Sequence, residues 1–275
     1  MNRDIKLDGE VDLEVEENDI LRVGDPKLDE AFSLERGTSI LIFGPPFTGK
    51  TTLALTISIN EIKESRGRVF YIDTENGVSP YRVKAMLNSH GISLQESKFK
   101  LKLLRVFSLR EALGYASYAI KNDFSLIVID SLSRLFYIEA HKHNETEVSE
   151  VIYNALNELQ KEAYERNSTI IITSESKDVE EQTLDLESLN PHQLLALHKY
   201  PWPLTSLGSL AKIAVGLIML KGRRYAFIER HRSKPSVYED LRYYEFCISN
   251  EGIKYVGSVE FIGSKVAYKV SISST

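Results

Sequence analysis

A chain of 275 residues with 43% hydrophobic side chains is long enough for one large α/β domain and apolar enough to build its core. A formal net charge of −5 excludes binding to nucleic acid through overall electrostatic attraction and leaves only a local basic track open. The single cysteine, Cys247, excludes a disulfide framework, and the absence of a leading apolar segment or of any run near the ~20 residues of a membrane span predicts a reducing, cytoplasmic setting without membrane contact.

Residues 1–20 carry eight acidic side chains against Arg3 and Lys6, and the alternation in VDLEVEEND fits either an edge strand or a solvated acidic arm. From residue 21 onward the pattern changes to that of an α/β core, taken to run from 21 to 275. Strands are predicted over 38–44, 67–73, 99–107, 125–130 and 168–174, with helices over 50–65, 79–91, 108–122 and 147–167 between them. Pro80 suits the first turn of its helix. Short β-branched runs joined by helical crossovers predict a mostly parallel, twisted sheet flanked by helices and buried on both faces. Residues 175–207 show no such pattern, and an uncovered span of that length tends to be functional. Beyond residue 208, AKIAVGLIML, RRYAFIERHR and LRYYEFCISNEG predict an antiparallel C-terminal extension of three strands.

The strongest local signal is GPPFTGKTT, which fits G-x-x-x-x-G-K-[ST] and lies between a predicted strand and a predicted helix. Gly44, Pro45, Pro46, Phe47, Thr48, Gly49, Lys50, Thr51 and Thr52 would wrap the phosphates of ATP. The two glycines let the loop turn its N–H groups toward phosphate oxygens at the helix N-terminus. Lys50 would reach the β- and γ-phosphates, and the Thr51 hydroxyl would ligate Mg²⁺. SLIVIDSLSRLF supplies a strand that ends in Asp130, placed to hold the same ion through a water. Hydrolysis also needs a group to activate or orient water, and YIDTENG offers both Asp73 and Glu75. Their spacing alone does not choose between base and helix cap.

These blocks, together with IITSES and LTSLGSLAKIAVGLIML…IERHRSKP…YEFCISNEGI, resemble in order and spacing the RecA/RadA recombinase ATPase core. The resemblance runs from about residue 20 to 256. It is nearest to the archaeal RadA paralogues, RadB-like and RadC-like proteins, which have the core without the helix-hairpin-helix domain of RadA. It implies a RecA-like fold, ATP with Mg²⁺, and a part in DNA repair and recombination. By position, Glu75 matches the family's water-activating glutamate, Arg82 the residue that stacks on adenine, and Asp130 and Ser131 the magnesium-site aspartate and its neighbour. Glu175 stands where the family has its γ-phosphate-sensing glutamine, and an ionised glutamate cannot donate a hydrogen bond to phosphate. In bacterial RecA two lysines one residue apart reach into the neighbouring subunit's ATP; Arg230 and Arg232 occupy the matching alternation here, which implies self-association through the ATP site.

Departures from the family point away from strand exchange. The first DNA loop should follow DSLSRLF, yet residues 137–150 set Glu139, Glu145, Glu147 and Glu150 against Lys142. The second, 176–207, sets Asp178, Glu180, Glu181, Asp185 and Glu187 against Lys177 and Lys199. Acidic loops bind phosphate weakly. His141, Lys142, His143, Trp202, Arg223 and Arg224 remain candidates for stacking on or contacting single-stranded DNA. The reading is therefore of a weak ATPase that regulates or mediates recombination, with single-stranded DNA and a RadA-type recombinase as partners. A KaiC-like signalling ATPase or autokinase is one alternative, and an ATP-bound protein-interaction scaffold is another.

Overall fold

The computed structural model describes residues 19–64, 67–176, 210–234, 241–262 and 265–270. Two short strands, β1 (Ile20–Leu21) and β2 (Leu34–Glu35), pair antiparallel on either side of helix α1 (Pro26–Phe32). Asp25 caps that helix by accepting from the Lys27 and Leu28 N–H groups, and Pro26 occupies its first turn. The chain continues through β3 (Ser39–Gly44), α2 (Lys50–Lys63), β4 (Val69–Asp73), α3 (Pro80–Ser89), α4 (Leu94–Lys100), β5 (Leu101–Arg105) and α5 (Leu109–Lys121). Next come β6 (Leu126–Asp130), α6 (Leu132–Ala140), α7 (Glu145–Glu165) and β7 (Thr169–Glu175). The described strands after them are β8 (Ile213–Leu220), β9 (Arg223–His231), β10 (Arg242–Ser249), β11 (Gly252–Ile262) and β12 (Lys265–Val270).

Among the described residues a ten-stranded sheet carries the fold, in the order β12-β11-β10-β9-β8-β3-β7-β6-β4-β5. From β5 to β8 neighbouring strands run parallel, and from β9 to β12 they alternate in direction. Side chains of β3 point alternately to the two faces. Leu41 and Phe43 pack with Ala112, Ala116 and Ala119 of α5 and Ile152 and Leu156 of α7. Ile40 and Ile42 pack with Leu53 and Ile57 of α2 and Val83 and Met86 of α3. Burial on both faces explains why these strands read as unbroken apolar runs. All parallel strands end at one edge of the sheet, and a crevice opens there between β3 and β4 because β7 and β6 lie between them.

Three expectations need correction. The strand predicted over 99–107 is only Leu101–Arg105, because Ser93 caps a preceding helix by accepting from the Glu96 N–H at 3.1 Å, and that helix runs to Lys100. The loop expected over 137–150 is mostly helical: α6 extends to Ala140, and Asn144 caps α7 by accepting from the Thr146 N–H at 2.8 Å, which leaves 141–144 between them. The strand over AKIAVGLIML is parallel to β3, so the antiparallel extension begins only at β9. Most of the acidic arm and the stretch 177–207, with Trp202, lie outside the described residues.

Candidate nucleotide site

The GPPFTGKTT loop joins β3 to α2 at the crevice. Gly44 is held against β8 so closely that a Cβ there would lie 2.3 Å from the Leu217 carbonyl oxygen, so no larger residue fits. Gly49 has φ of +109°, and a Cβ on it would press on Ile248 of β10 at 3.2 Å. Thr48 is buried and closes the loop by donating to the Pro45 carbonyl at 2.8 Å. No side chain caps α2, so the first-turn N–H groups of a helix of 14 residues face the loop as ready donors for an anion.

Lys50 reaches back over this loop, its ammonium donating to the carbonyls of Gly44 and Pro45, both at 2.8 Å. Burial pulls the lysine below its ordinary pKa, and the carboxylates of Glu175, Glu75 and Asp130 act against that fall. The lysine of the loop, the carboxylate ending β6, the one just past β4 and the one ending β7 thus face one another. Asp130 is itself buried, which lifts its carboxyl above the usual aspartate value. The hydroxyls of Thr173, Tyr71 and Thr51 pull the other way, and the Glu75 charge adds to the rise. The Tyr71 hydroxyl donates to Oδ2 at 2.6 Å and the Thr173 hydroxyl donates to Oδ1.

Asp73 and Glu75 have different tasks. The Asp73 carboxylate is buried and accepts from the N–H groups of Glu75, Gly77 and Val78, each at 3.1 Å, so it builds the turn that follows β4. Glu75 is exposed at the crevice and accepts a hydrogen bond from the Ser131 hydroxyl. Thr74, between them, ties the two strand ends together. Its N–H donates to the Asp130 carbonyl at 2.8 Å, its hydroxyl donates to the Ser131 carbonyl at 2.7 Å, and it accepts from the Ser131 N–H at 2.9 Å.

The residues present fit ATP with a magnesium ion. Uncapped helix donors and a partly buried lysine suit a polyphosphate, and the Thr51 hydroxyl with Asp130 offers the oxygen donors magnesium prefers. Among the described residues no cluster of three His, Cys, Asp or Glu side chains could hold a metal alone. Arg82 stands beside the loop, its guanidinium donating to the Ser249 carbonyl at 3.1 Å at the end of β10.

The remaining candidates are scattered. His141 ends α6, and Lys142 pairs with Glu139 at 3.3 Å. Glu139 also lines, with His143, a groove between α5 and α7. Arg224 donates to the Phe47 carbonyl at 3.4 Å, and Arg223 pairs with Glu245 at 3.7 Å. Arg230 and Arg232 lie at the other end of β9, roughly 23 Å away at ~3.3 Å per residue, because Leu220 pairs with Arg223 while Ile213 pairs with His231. They form no joint patch with Arg223 and Arg224. Nor do they share a strand face, since β9 ends at His231 and Arg232 turns to pair with Glu35. Sequence reasoning overlooked Thr74, Tyr71, Thr173 and Ser133. The polar i, i+2 pair of SLS directly after the apolar strand was the one available signal for the last of these.

A family model described as an AAA domain matches residues 32–170. The DNA repair and recombination protein RadB of Thermococcus sibiricus is 30% identical over 222 residues, covering 78% of this chain and 88% of that protein. The protein of the same name from Pyrococcus abyssi is 29% identical over 221 residues, covering 78% and 86%. A crystal structure of the RadB recombinase superposes with a TM-score of 0.64 at 25% identity, covering 86% of this chain and all of that one.

Proposed function

Because this chain belongs to the RadB group of the RecA/RadA family, we propose that it binds ATP with magnesium and hydrolyses it slowly. We propose further that it serves DNA repair and recombination as a regulator beside a recombinase and does not exchange strands itself. The observation that carries the enzymatic part is the glycine-bounded loop that seats Lys50, with the ends of β4 and β6 tied together so that Glu75 and Asp130 stand side by side. Lys50, now held by two loop carbonyls, would exchange them for phosphate oxygens. Thr51 and Asp130 would hold magnesium, which supplies neutralisation of the charge on the phosphates. Glu75, exposed and held by the Ser131 hydroxyl, would orient and deprotonate the attacking water.

The names of the relatives support the recombination role over a KaiC-like signalling ATPase. Single-stranded DNA is the nucleic acid of this reading, bound weakly, since acidic residues predominate over lysines in 177–207. Glu75→Gln should abolish ATP turnover while leaving ATP binding intact, as measured by phosphate release and by titration with a fluorescent ATP analogue. Hydrolysis at the unaltered rate would remove Glu75 from the chemistry.

A further inference from the structure

Two buried serines join Glu75 to the end of β7. Ser131 caps α6, its Oγ accepting from the Arg134 N–H at 3.4 Å, and its hydroxyl donates to Glu75 Oε1. Ser133 lies 3.1 Å away, oxygen to oxygen, and is completely buried. The Ser133 oxygen in turn accepts from the Glu175 N–H at 3.2 Å. Proton counting fixes the direction. An ionised carboxylate only accepts, and each hydroxyl has one hydrogen to give. The Ser131 hydrogen goes to Glu75, so at the serine pair Ser133 is the donor and Ser131 the acceptor. The result is a one-way chain from the Glu175 N–H through Ser133 and Ser131 to the Glu75 carboxylate. Chains of this kind polarise one another and end best on a charge.

The cap of α6 is supplied by Ser131 alone, so the helix does not need the Ser133 hydroxyl. What that hydroxyl does is bind the last residues of β7, directly before residues 177–207, to the group that orients Glu75. We propose that Ser133 is a positioning residue that sets the Glu75 carboxylate according to where the end of β7 stands; this rests on the assignment of Glu75 made above. A displacement of β7 by the length of a hydrogen bond takes the Glu175 N–H away from Ser133, whose hydroxyl is then free to turn from Ser131 and no longer fixes the Ser131 hydrogen toward Glu75. The connection runs through peptide and hydroxyl groups, so it does not require the side chain of Glu175, which cannot donate to phosphate.

The test compares the full-length protein with Ser133→Ala, Ser133→Thr and Glu75→Gln. Binding of a fluorescent ATP analogue and the thermal midpoint serve as controls for folding. Loss of one interaction in the chain is expected to lower kcat by about five- to tenfold with KM for ATP changed less than about twofold, and Ser133→Thr is expected to restore kcat. Independently of turnover, the backbone amide resonance of Glu175 is expected to shift when Glu75 becomes Gln, and to lose that response when Ser133 is Ala. If Ser133→Ala keeps full kcat while Glu75→Gln is dead, the positioning role is overturned and the assignment of Glu75 stands. If Glu75→Gln turns over ATP normally, the assignment of Glu75 fails. A Glu175 amide that ignores Glu75→Gln overturns the chain itself.

Discussion

Replacing Thr74 by Val is the sharpest test of how the crevice is held. Thr74 is wholly buried, and its hydroxyl both donates to the Ser131 carbonyl at 2.7 Å and accepts from the Ser131 N–H at 2.9 Å. Valine keeps the shape and the β-branch but can do neither. A buried peptide N–H without a partner costs about 1–3 kcal/mol, and the weakened carbonyl adds about 1 kcal/mol, so the loss is roughly 2–4 kcal/mol. In a domain of this size each kcal/mol moves Tm by about 2–4 °C, which puts the fall at about 4–16 °C. Thr74→Ser keeps both hydrogen bonds and gives up one methyl, about 1 kcal/mol or a few degrees. Thermal and guanidinium unfolding followed by far-UV circular dichroism measure both. Because Glu75 is the next residue, the Val variant should also lose turnover. A Val variant within about 2 °C of the parent, or a Ser variant as unstable as the Val one, would refute the claim that this hydroxyl staples β4 to β6.

Asp130→Asn should leave the ligand-free protein as stable or more stable at pH 7. Burial raises the Asp130 carboxyl above its ordinary value, so the folded state holds the proton more tightly than the unfolded one, and ionisation costs stability that returns as pH falls. The gap between variant and parent should therefore close in acid, and the variant should lose the part of its nucleotide affinity that depends on magnesium; Tm against pH and titrations with and without Mg²⁺ read both. Lys50→Ala should erase the nucleotide-induced rise in Tm, which at a ligand concentration about 100 times Kd corresponds to about 2.7 kcal/mol. Glu175→Gln removes a carboxylate facing Lys50 and should tighten ATP binding by about 3- to 10-fold, on the order of 1 kcal/mol; weaker binding in the same titration would count against like-charge repulsion there. Turnover per chain should rise with protein concentration, and Arg230→Ala should remove that rise. A rate independent of concentration would dismiss a contribution from a second copy.

The alternation of apolar strand and amphipathic helix was legible because a parallel sheet buried on both faces leaves long uninterrupted runs such as Ile40–Phe43 and Leu126–Ile129. The phosphate loop was legible because its glycines are required, Gly44 by a close backbone contact and Gly49 by its positive φ. Less visible was anything set by capping. Ser93 with Glu96 forms an S-x-x-E start signal, and it overrode the strand-like look of FKLKLL. Asn144 did the same before α7, which with the end of α6 left only 141–144 of the expected loop. The spacing of Asp73 and Glu75 left their roles open, because both are carboxylates near a strand end, and only the family resemblance favoured Glu75. Only the count of N–H groups around Asp73, three of them, shows that its lone pairs are taken. Parallel or antiparallel placement of β8 was likewise set by how the chain returns to the sheet, which local pattern does not encode.

The basic stretch IERHRSKP shows how strand direction limits what a charge cluster can do. His231 is buried against the Ser33 carbonyl at 3.1 Å, Arg232 and the Ser233 hydroxyl engage Glu35, and the Lys234 ammonium donates to the Glu30 and Ala31 carbonyls at 2.8 and 2.6 Å. These contacts fasten the end of β9 over α1 and β2, and the lysine meets the helix at its carbonyl end, where positive charge is favoured. Since β9 runs antiparallel to β8, this whole cluster stands at the edge of the sheet opposite the phosphate loop of its own chain. No side chain there can span the length of β3 to its own nucleotide. Any role of Arg230 toward ATP therefore requires a second copy, stacked with its phosphate-loop edge on this opposite edge. Such a contact joins two different surfaces, so it closes into a ring or propagates as a filament instead of ending at a twofold dimer. Arg232 would have to surrender Glu35 to take part, so Tm measured beside turnover in Arg230→Ala and Arg232→Ala separates assembly-dependent turnover from the integrity of the clasp.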